Sequence, residues 1–235
     1  GLCPFHSEKT PSFSVNPERQ IFKCFGCGAG GNSINFIMDL ERMDFPNAIE
    51  VLADRYNIQV ERDGSSGPSN NITDQLYSIN LIAEKWFKDS MSSHQQPKVI
   101  EYFKNRGITE NSMKEFGIGF SPLGKNKLLS EVRNLNFSSE ALKGSGLFVS
   151  TEKGYIDRFR GRIIFPLHNQ MGKVIGFAGR AFNENQIAKY INSPETVVYN
   201  KSKFLYGLNV TAEHIRKENS IIVVEGYMDL IQLYI

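Results

Sequence analysis

The pattern of apolar and polar positions divides the chain into two unlike stretches. In the first sixty residues, PSFSV and QIFKC alternate with a period of two around NPER, which predicts a short hairpin. Ile34, Phe36, Ile37, Met38 and Leu40 then form one helical face. A second helix follows, with Asp44 as its cap, Pro46 in its first turn, and Ile49, Leu52, Ala53 and Tyr56 buried. NIQVER is strand-like and closes the module. From Thr73 a 3.6-residue period takes over: Leu76, Ile79, Ile82, Ala83, Trp86 and Phe87 predict a long helix. KVIEYFKNRG predicts another that ends at Gly107, Thr109 caps ENSMKEF, GIGFSP is strand-like, and Ser138 or Ser139 opens a helix that stops at Gly144. Near Arg158 the period returns to two, and RIIFPLHN and KVIGFAGR flank QMG as a hairpin. SIIVV, bounded by ENS and EG, predicts a central strand of an α/β sheet, and YMDLIQLYI a helix that has only begun.

Between the stretches, RDGSSGPSNN is rich in Gly, Ser, Asn and Pro and predicts a linker. The expected domains are therefore a module over 1–62, a linker over 63–72, and a second region from residue 73. The chain begins GLC without a Met and closes without a helix stop signal, so both ends are expected to be cut from a longer protein.

Composition narrows the class. At 235 residues and 40% hydrophobic there is room for one or two globular domains, and no apolar run approaches the roughly 20 residues of a membrane span. Three cysteines are too few, and odd in number, for a disulfide scaffold; metal-bound thiolates in a reducing interior fit better. The net charge of +2 conceals a split: Arg158 to Lys217 carries ten Lys/Arg against three Asp/Glu. An excess of that size on a near-neutral chain favours a polyanionic partner over a merely solvated surface.

All three cysteines fall in CPFHSEKTPSFSVNPERQIFKCFGCG. Cys3 and His6 form C-x2-H, and Cys24 and Cys27 form C-x2-C. Two such knuckles place four N/S ligands around one tetrahedral zinc, and four protein ligands leave no open position, so the metal is structural. Gly26 and Gly28 flank the last thiolate, where positive φ is often needed. The remaining histidines, His94, His168 and His214, have no such partners and are expected to be structural or exposed. Arg19, Lys23, Phe22 and Phe25 lie near the second knuckle, where they either clamp a single strand or, for the phenylalanines, fill the small core.

DRFRGR sets three arginines at alternate positions, on one face if the segment is extended. AKYINSPETVVYNKSKFLYGL mixes Lys189, Tyr190, Asn192, Lys201 and Lys203 with turn residues; this suits a single-stranded nucleic-acid track and equally an irregular surface loop. Glu225 stands at the carboxyl end of SIIVV, where open α/β sheets bind ligands, with Asp229 in the first turn of the next helix. Such carboxylates hold Mg2+ or take a proton, but the same pattern describes a loop acid and an aspartate set against a helix dipole.

Together these motifs resemble bacterial DnaG-type primases. CPFHSEKTPSFSV and CFGCGAGGN resemble the family's zinc-binding domain, RFRGRIIFPL, GKVIGFAGR and KYINSPET its RNA-polymerase domain, and VVEGYMD the first motif of its Toprim fold. The resemblance implies an α+β chain: an N-terminal zinc ribbon with short helices, then a mixed α/β RNA-polymerase domain over 73–218, entering over 219–235 a Toprim fold truncated at its first strand and helix. It implies zinc on Cys3, His6, Cys24 and Cys27, template or hybrid contacts from Arg106, Arg180, Lys189, Asn192 and Lys201, and Mg2+ or Mn2+ held by Glu225 with Asp229 beside it. The implied activity is synthesis of short RNA primers on single-stranded DNA from ribonucleoside triphosphates. A 3′-hydroxyl attacks the α-phosphate of an incoming nucleotide, pyrophosphate leaves, and divalent ions neutralise the developing charge. Further implications are an RNA–DNA hybrid as product, a replicative helicase bound through a C-terminal region absent here, no membrane partner, and a cytoplasmic, replisome-associated location. The family's Asp-x-Asp acids lie beyond residue 235, so the 235 residues are expected to bind zinc and DNA but to polymerise poorly. The competing expectations are another Toprim enzyme, such as a type IA topoisomerase, and a non-catalytic single-stranded DNA-binding module.

Overall fold

The computed structural model describes residues 1–41, 45–56, 58, 71–91, 96–182 and 188–235, and the chain divides into two units, Gly1–Ser65 and Ser66–Ile235. Asp44, His94, all of NIQVER but Ile58, and the expected linker as far as residue 70 lie outside the described residues.

The first unit opens with the predicted hairpin, β1 (Phe13–Asn16) against β2 (Ile21–Cys24), in a register that sets Phe13 opposite Cys24. The Asn16 Oδ1 accepts from the Arg19 N–H at 2.9 Å and closes the turn, the local chemistry that favours asparagine there. A third short strand, β3 (Gly30–Gly31), pairs with β2 and carries no apolar alternation that could announce it. Helix α1 (Ser33–Glu41) starts with a reciprocal cap: Asn35 N–H donates to Asn32 Oδ1 at 3.0 Å, and Asn32 N–H to Asn35 Oδ1 at 3.1 Å. The core is an aromatic quartet. Phe5, Phe13, Phe22 and Phe36 meet one another in all six pairs, with ring centroids 5.3–6.1 Å apart. Helix α2 spans Phe45–Tyr56 and buries Ala48 and Ala53. Tyr56 is 66% exposed, contrary to its predicted burial; it is the last residue of α2, and the stripe outruns a core this small.

In the second unit a four-stranded antiparallel sheet has the order β4 (Gly119–Ser121), β7 (Arg162–His168), β8 (Val174–Ala181), β9 (Tyr190–Asn192). Central strand β7 is buried along nearly all its length, so it reads as an apolar run instead of an alternation. Pro166 is tolerated because β4 pairs only as far as Ile164, leaving β7 a neighbour on one side beyond that point. On one face Ile79, Ala83 and Phe87 of α3 (Ile72–Asp89) pack with α6 (Lys127–Val132) and α7 (Ser139–Gly144) against Ile164 and Phe177. On the other, Val99 and Phe103 of α4 (Pro97–Lys104), Met113 of α5 (Glu110–Glu115), and Met228 and Ile231 of α9 (Tyr227–Tyr234) pack with Ile163, Phe165 and Ala178. Helix α8 (Leu208–Glu218) precedes α9. Thr109 and Ser138 cap α5 and α7: their hydroxyls accept from Ser112 N–H and Ala141 N–H, both at 3.1 Å. Helix α6 and the hairpin β5 (Phe148–Thr151) with β6 (Gly154–Asp157) are not announced by the sequence pattern.

Two further expectations are overturned. DRFRGR is not extended: residues 158–161 turn, and the three guanidinium groups separate to different carbonyls. Arg158 donates to Gly146 O at 2.7 Å, Arg160 to Asp157 O at 2.7 Å, and Arg162 to Gly179 O at 3.2 Å and Ala188 O at 3.0 Å. The three side chains thus bond to backbone carbonyls, Arg158 and Arg160 from the turn and Arg162 from β7. SIIVV forms no strand, and Ile221, Ile222 and Val223 are 52%, 79% and 71% exposed. An apolar run becomes a strand only beside a neighbouring ladder, and no described strand lies alongside it.

Candidate nucleic-acid interface and metal centre

The hairpin register and the following turn bring the two knuckles of the first unit together. Ligand atoms of Cys3, His6, Cys24 and Cys27 all lie within 4.8 Å of one another. Cys3 Sγ is 3.9 Å from Cys27 Sγ, and Cys24 Sγ is 3.8 Å from His6 Nδ1. Tetrahedral zinc with Zn–S near 2.3 Å and Zn–N near 2.0 Å sets its ligand atoms roughly 3.5–3.8 Å apart, so this donor set fits zinc in kind and in spacing. Burial alone would raise the Cys24 thiol, but hydrogen bonds from Cys27 N–H, at 3.4 Å, and Ser12 bring it down to about 6. Gly28 adopts φ +81°; Gly26 is needed for a different reason, since a Cβ there would lie 2.8 Å from both His6 Nε2 and Ser12 Oγ. Phe22 belongs to the core, while Phe25 is 78% exposed beside the second knuckle.

In the second unit, two of the five expected nucleic-acid residues share one ring, and a third lies on the strand beside them. Arg106 follows the end of α4, Arg180 stands on β8 directly opposite Tyr190 on β9, and Asn192 lies two residues further along the same face. The guanidinium carbons of Arg106 and Arg180 are each 4.7 Å from the centroid of the Tyr102 ring. Burial raises the Tyr190 phenol, while Arg180 beside it, by charge and hydrogen bond, pulls the other way. Tyr227 donates to Asn192 Oδ1 at 3.2 Å and stacks on Phe165 with centroids 5.3 Å apart; burial pushes its phenol up to about 12. Lys189 is exposed one residue before β9, and its carbonyl accepts from Ala181 N–H at 2.7 Å. Lys201 is exposed at the start of a 3-10 turn, Lys201–Lys203, its N–H donating to Glu195 at 2.9 Å. Sequence reasoning missed Tyr102 and Tyr227. The i, i+4 spacing of Tyr102 and Arg106 at the end of a predicted helix is the one signal for the first.

Asn192, Lys201, Tyr227 and Glu225 share a cleft of about 550 Å³ that is also lined by α8, the exposed Ile221, Ile222 and Val223, and the half-buried Val224. Glu225 and Asp229 are exposed. Gly226 is the N-cap of α9, and the Asp229 carboxylate folds back over it: a Cβ on Gly226 would lie 2.7 Å from Asp229 Oδ2. Two exposed carboxylates are oxygen donors of the kind Mg2+ takes, with water and phosphate completing its shell. Of the other histidines, His168 is hydrogen-bonded to Glu84 at 3.0 Å and His214 is exposed. Among the described residues no helix is long and apolar enough to cross a membrane.

Comparison with known proteins agrees with this geometry. Residues 1–67 match the CHC2 zinc finger family, and residues 86–212, more than half of the chain, match the DNA primase catalytic core, N-terminal domain. The chain is 42% identical over 236 residues to the DNA primase of Clostridium acetobutylicum, covering 100% of this chain and 39% of that protein. The chain thus spans about two fifths of the curated relatives it matches. The crystal structure of the Aquifex aeolicus primase zinc-binding and RNA-polymerase domains superposes with a TM-score of 0.64 at 34% identity, over 100% of this chain and 56% of that one. A DnaG primase catalytic domain bound to single-stranded DNA gives a TM-score of 0.63 at 32% identity, over 68% of this chain and 52% of that one. With both segments matched and relatives at about 40% identity, the chain belongs to the DnaG-type DNA primase family.

Proposed function

We propose that the protein to which these residues belong synthesises short RNA primers on single-stranded DNA from ribonucleoside triphosphates, as a DNA-directed RNA polymerase. The observation that carries the reading is the convergence of Arg106 and Arg180 on Tyr102, beside Tyr190 and Asn192. Guanidinium groups fixed on aromatic faces suit a strand that is gripped by its phosphates and stacked on by its bases, without sequence being read. The relative solved with single-stranded DNA supports the same partner. Lys189 and Lys201, both exposed, extend the basic track along the segment that leads to the cleft. Arg106, Arg180, Lys189, Asn192 and Lys201 hold the template and the growing RNA–DNA hybrid.

Glu225 and Asp229 hold Mg2+ or Mn2+. The ion supplies charge neutralisation at the phosphate and a more acidic 3′-hydroxyl. Glu225 lines the cleft, while Asp229 stays near Gly226 at the positive end of its helix. The zinc ribbon is a rigid module for DNA, with Phe25, Lys23 and Arg19 exposed on it. The replicative helicase is a partner through a C-terminal region, and the site of action is the cytoplasm. Relatives named DNA primase do not favour the topoisomerase alternative.

The test uses the complete protein with single-stranded DNA, ribonucleotides and Mg2+, comparing wild type with Glu225→Gln. RNA from wild type and almost none from the variant is expected. RNA from both removes Glu225 from the metal site, and RNA from neither, with DNA binding intact, overturns the priming reading. The 235 residues alone should bind single-stranded DNA and yield little RNA; robust synthesis by them would show that no further acids are required.

A further inference from the structure

Glu8 lies outside the four-ligand set but touches it from several sides. Its side chain is only 10% exposed. Oε1 accepts from Cys3 N–H at 2.7 Å and from Ser12 N–H at 3.1 Å. Oε2 faces His6 Nε2 at 3.2 Å and accepts a hydrogen bond from the Ser12 hydroxyl. The Ser12 hydroxyl oxygen in turn lies 3.1 Å from Cys24 Sγ. Three of the groups around Glu8 donate to it, and an ionised carboxylate has acceptor capacity left for an N–H on His6 Nε2.

The His6 ring makes the point sharper. Its Nδ1 faces Cys24 Sγ at 3.8 Å while its Nε2 faces Glu8. A ligating imidazole must be neutral, so one nitrogen carries the proton and the other carries the lone pair for the metal. A carboxylate at Nε2 keeps the proton there and leaves Nδ1 to the zinc. Gly26 is what lets this happen, because any side chain there would collide with Nε2 and Ser12 Oγ.

We propose that Glu8 is the positioning residue of the zinc centre: it holds the backbone of Cys3, selects the His6 tautomer that ligates through Nδ1, and sets Ser12 against Cys24. Partners of this kind are worth about 10- to 100-fold in metal affinity. Glutamine cannot replace it. Its oxygen serves one pair of donors, and its NH2 group then confronts the other pair.

The first experiment needs no variant. In the zinc-loaded 235-residue chain with 15N-labelled histidine, His6 should show a protonated Nε2 and a metal-bound Nδ1; zinc on Nε2 overturns the proposal. The second measures Zn2+ affinity by competition with a chromophoric chelator. Glu8→Gln should lose about 10- to 100-fold, with faster exchange of the His6 Nε2 proton, while Glu18→Gln, on the exposed turn, should match wild type. Circular dichroism at saturating zinc establishes that the variant is folded when it is titrated. Wild-type affinity and proton exchange in Glu8→Gln return the residue to an ordinary loop acid. The outcome is independent of whether the protein primes.

Discussion

Tyr227 donates a hydrogen bond to Asn192 across 35 residues of chain, and so fastens the helix of Asp229 to the strand that carries the YINSPET segment. The ring beneath that hydroxyl is already stacked on Phe165. Tyr227→Phe therefore keeps the packing and removes one hydrogen bond, at a cost of about 0.5–1.5 kcal/mol. Primer yield from the complete protein should fall by more than the small drop in melting temperature explains. An unchanged yield would reduce the bond to local tethering.

Arg106 and Arg180 share one ring, so they should not act independently. Each Ala substitution is expected to weaken single-strand binding and to flatten the salt dependence, by about 0.7 in log–log slope for each phosphate no longer neutralised. Tyr102→Leu leaves both charges in place and should still weaken binding, because it removes the face that orients them. A double-mutant cycle of Tyr102→Leu with Arg180→Ala should show coupling of about 0.5–2 kcal/mol. Additivity, or an unaltered salt slope, would return the patch to ordinary solvated surface.

Arg162 is 7% exposed, and its guanidinium serves Gly179, Ala188 and Lys189 carbonyls, which bind the approach to β9 onto β8. Arg162→Met keeps the stem and abandons those acceptors. A loss of about 1.5–3 kcal/mol in urea unfolding is expected, together with faster amide exchange over 189–192. If exchange there is unchanged, Arg162 does not position the Lys189–Asn192 segment.

Glu84 gives a pH test. Burial would raise this carboxyl, but hydrogen bonds from His168 and from Lys88, at 3.0 and 2.7 Å, together with their charges, outweigh burial and hold it below the ordinary value of 4.5. A depressed folded-state value means that the contribution is complete above pH 4.5 and is lost as pH falls through the folded value. Wild type should therefore lose melting temperature more steeply than Glu84→Gln below about pH 4.5. Parallel curves throughout would deny the ion pair any part in acid sensitivity.

Local chemistry was the legible part of this chain. The two knuckles, the two hairpins, the Thr109 and Ser138 caps and the α3 stripe each depend on residues close together in sequence. Signals of period and capping report such neighbours directly. What was missed depends on residues brought from elsewhere. The arginines of DRFRGR bond to carbonyls of Gly146, Asp157, Gly179 and Ala188, so an alternation of arginines read alone did not disclose the turn at 158–161. Tyr102 gains its meaning from Arg180, which stands 78 residues later. Strand β3 is two glycines, with no side chain to carry a pattern.

The run 221–223 shows how far apolar composition is from protection. Its residues resemble those of β7, which lies buried between two hydrogen-bonded neighbours, yet they stand 52–79% exposed in no ladder. In a hydrogen–deuterium exchange experiment the amides of Ile163 and Ile164 should still hold protons long after those of Ile221 and Ile222 have been replaced. Two isoleucine pairs in one chain would thus be separated by exchange rate alone, with the slower pair marking where a sheet has closed around its backbone.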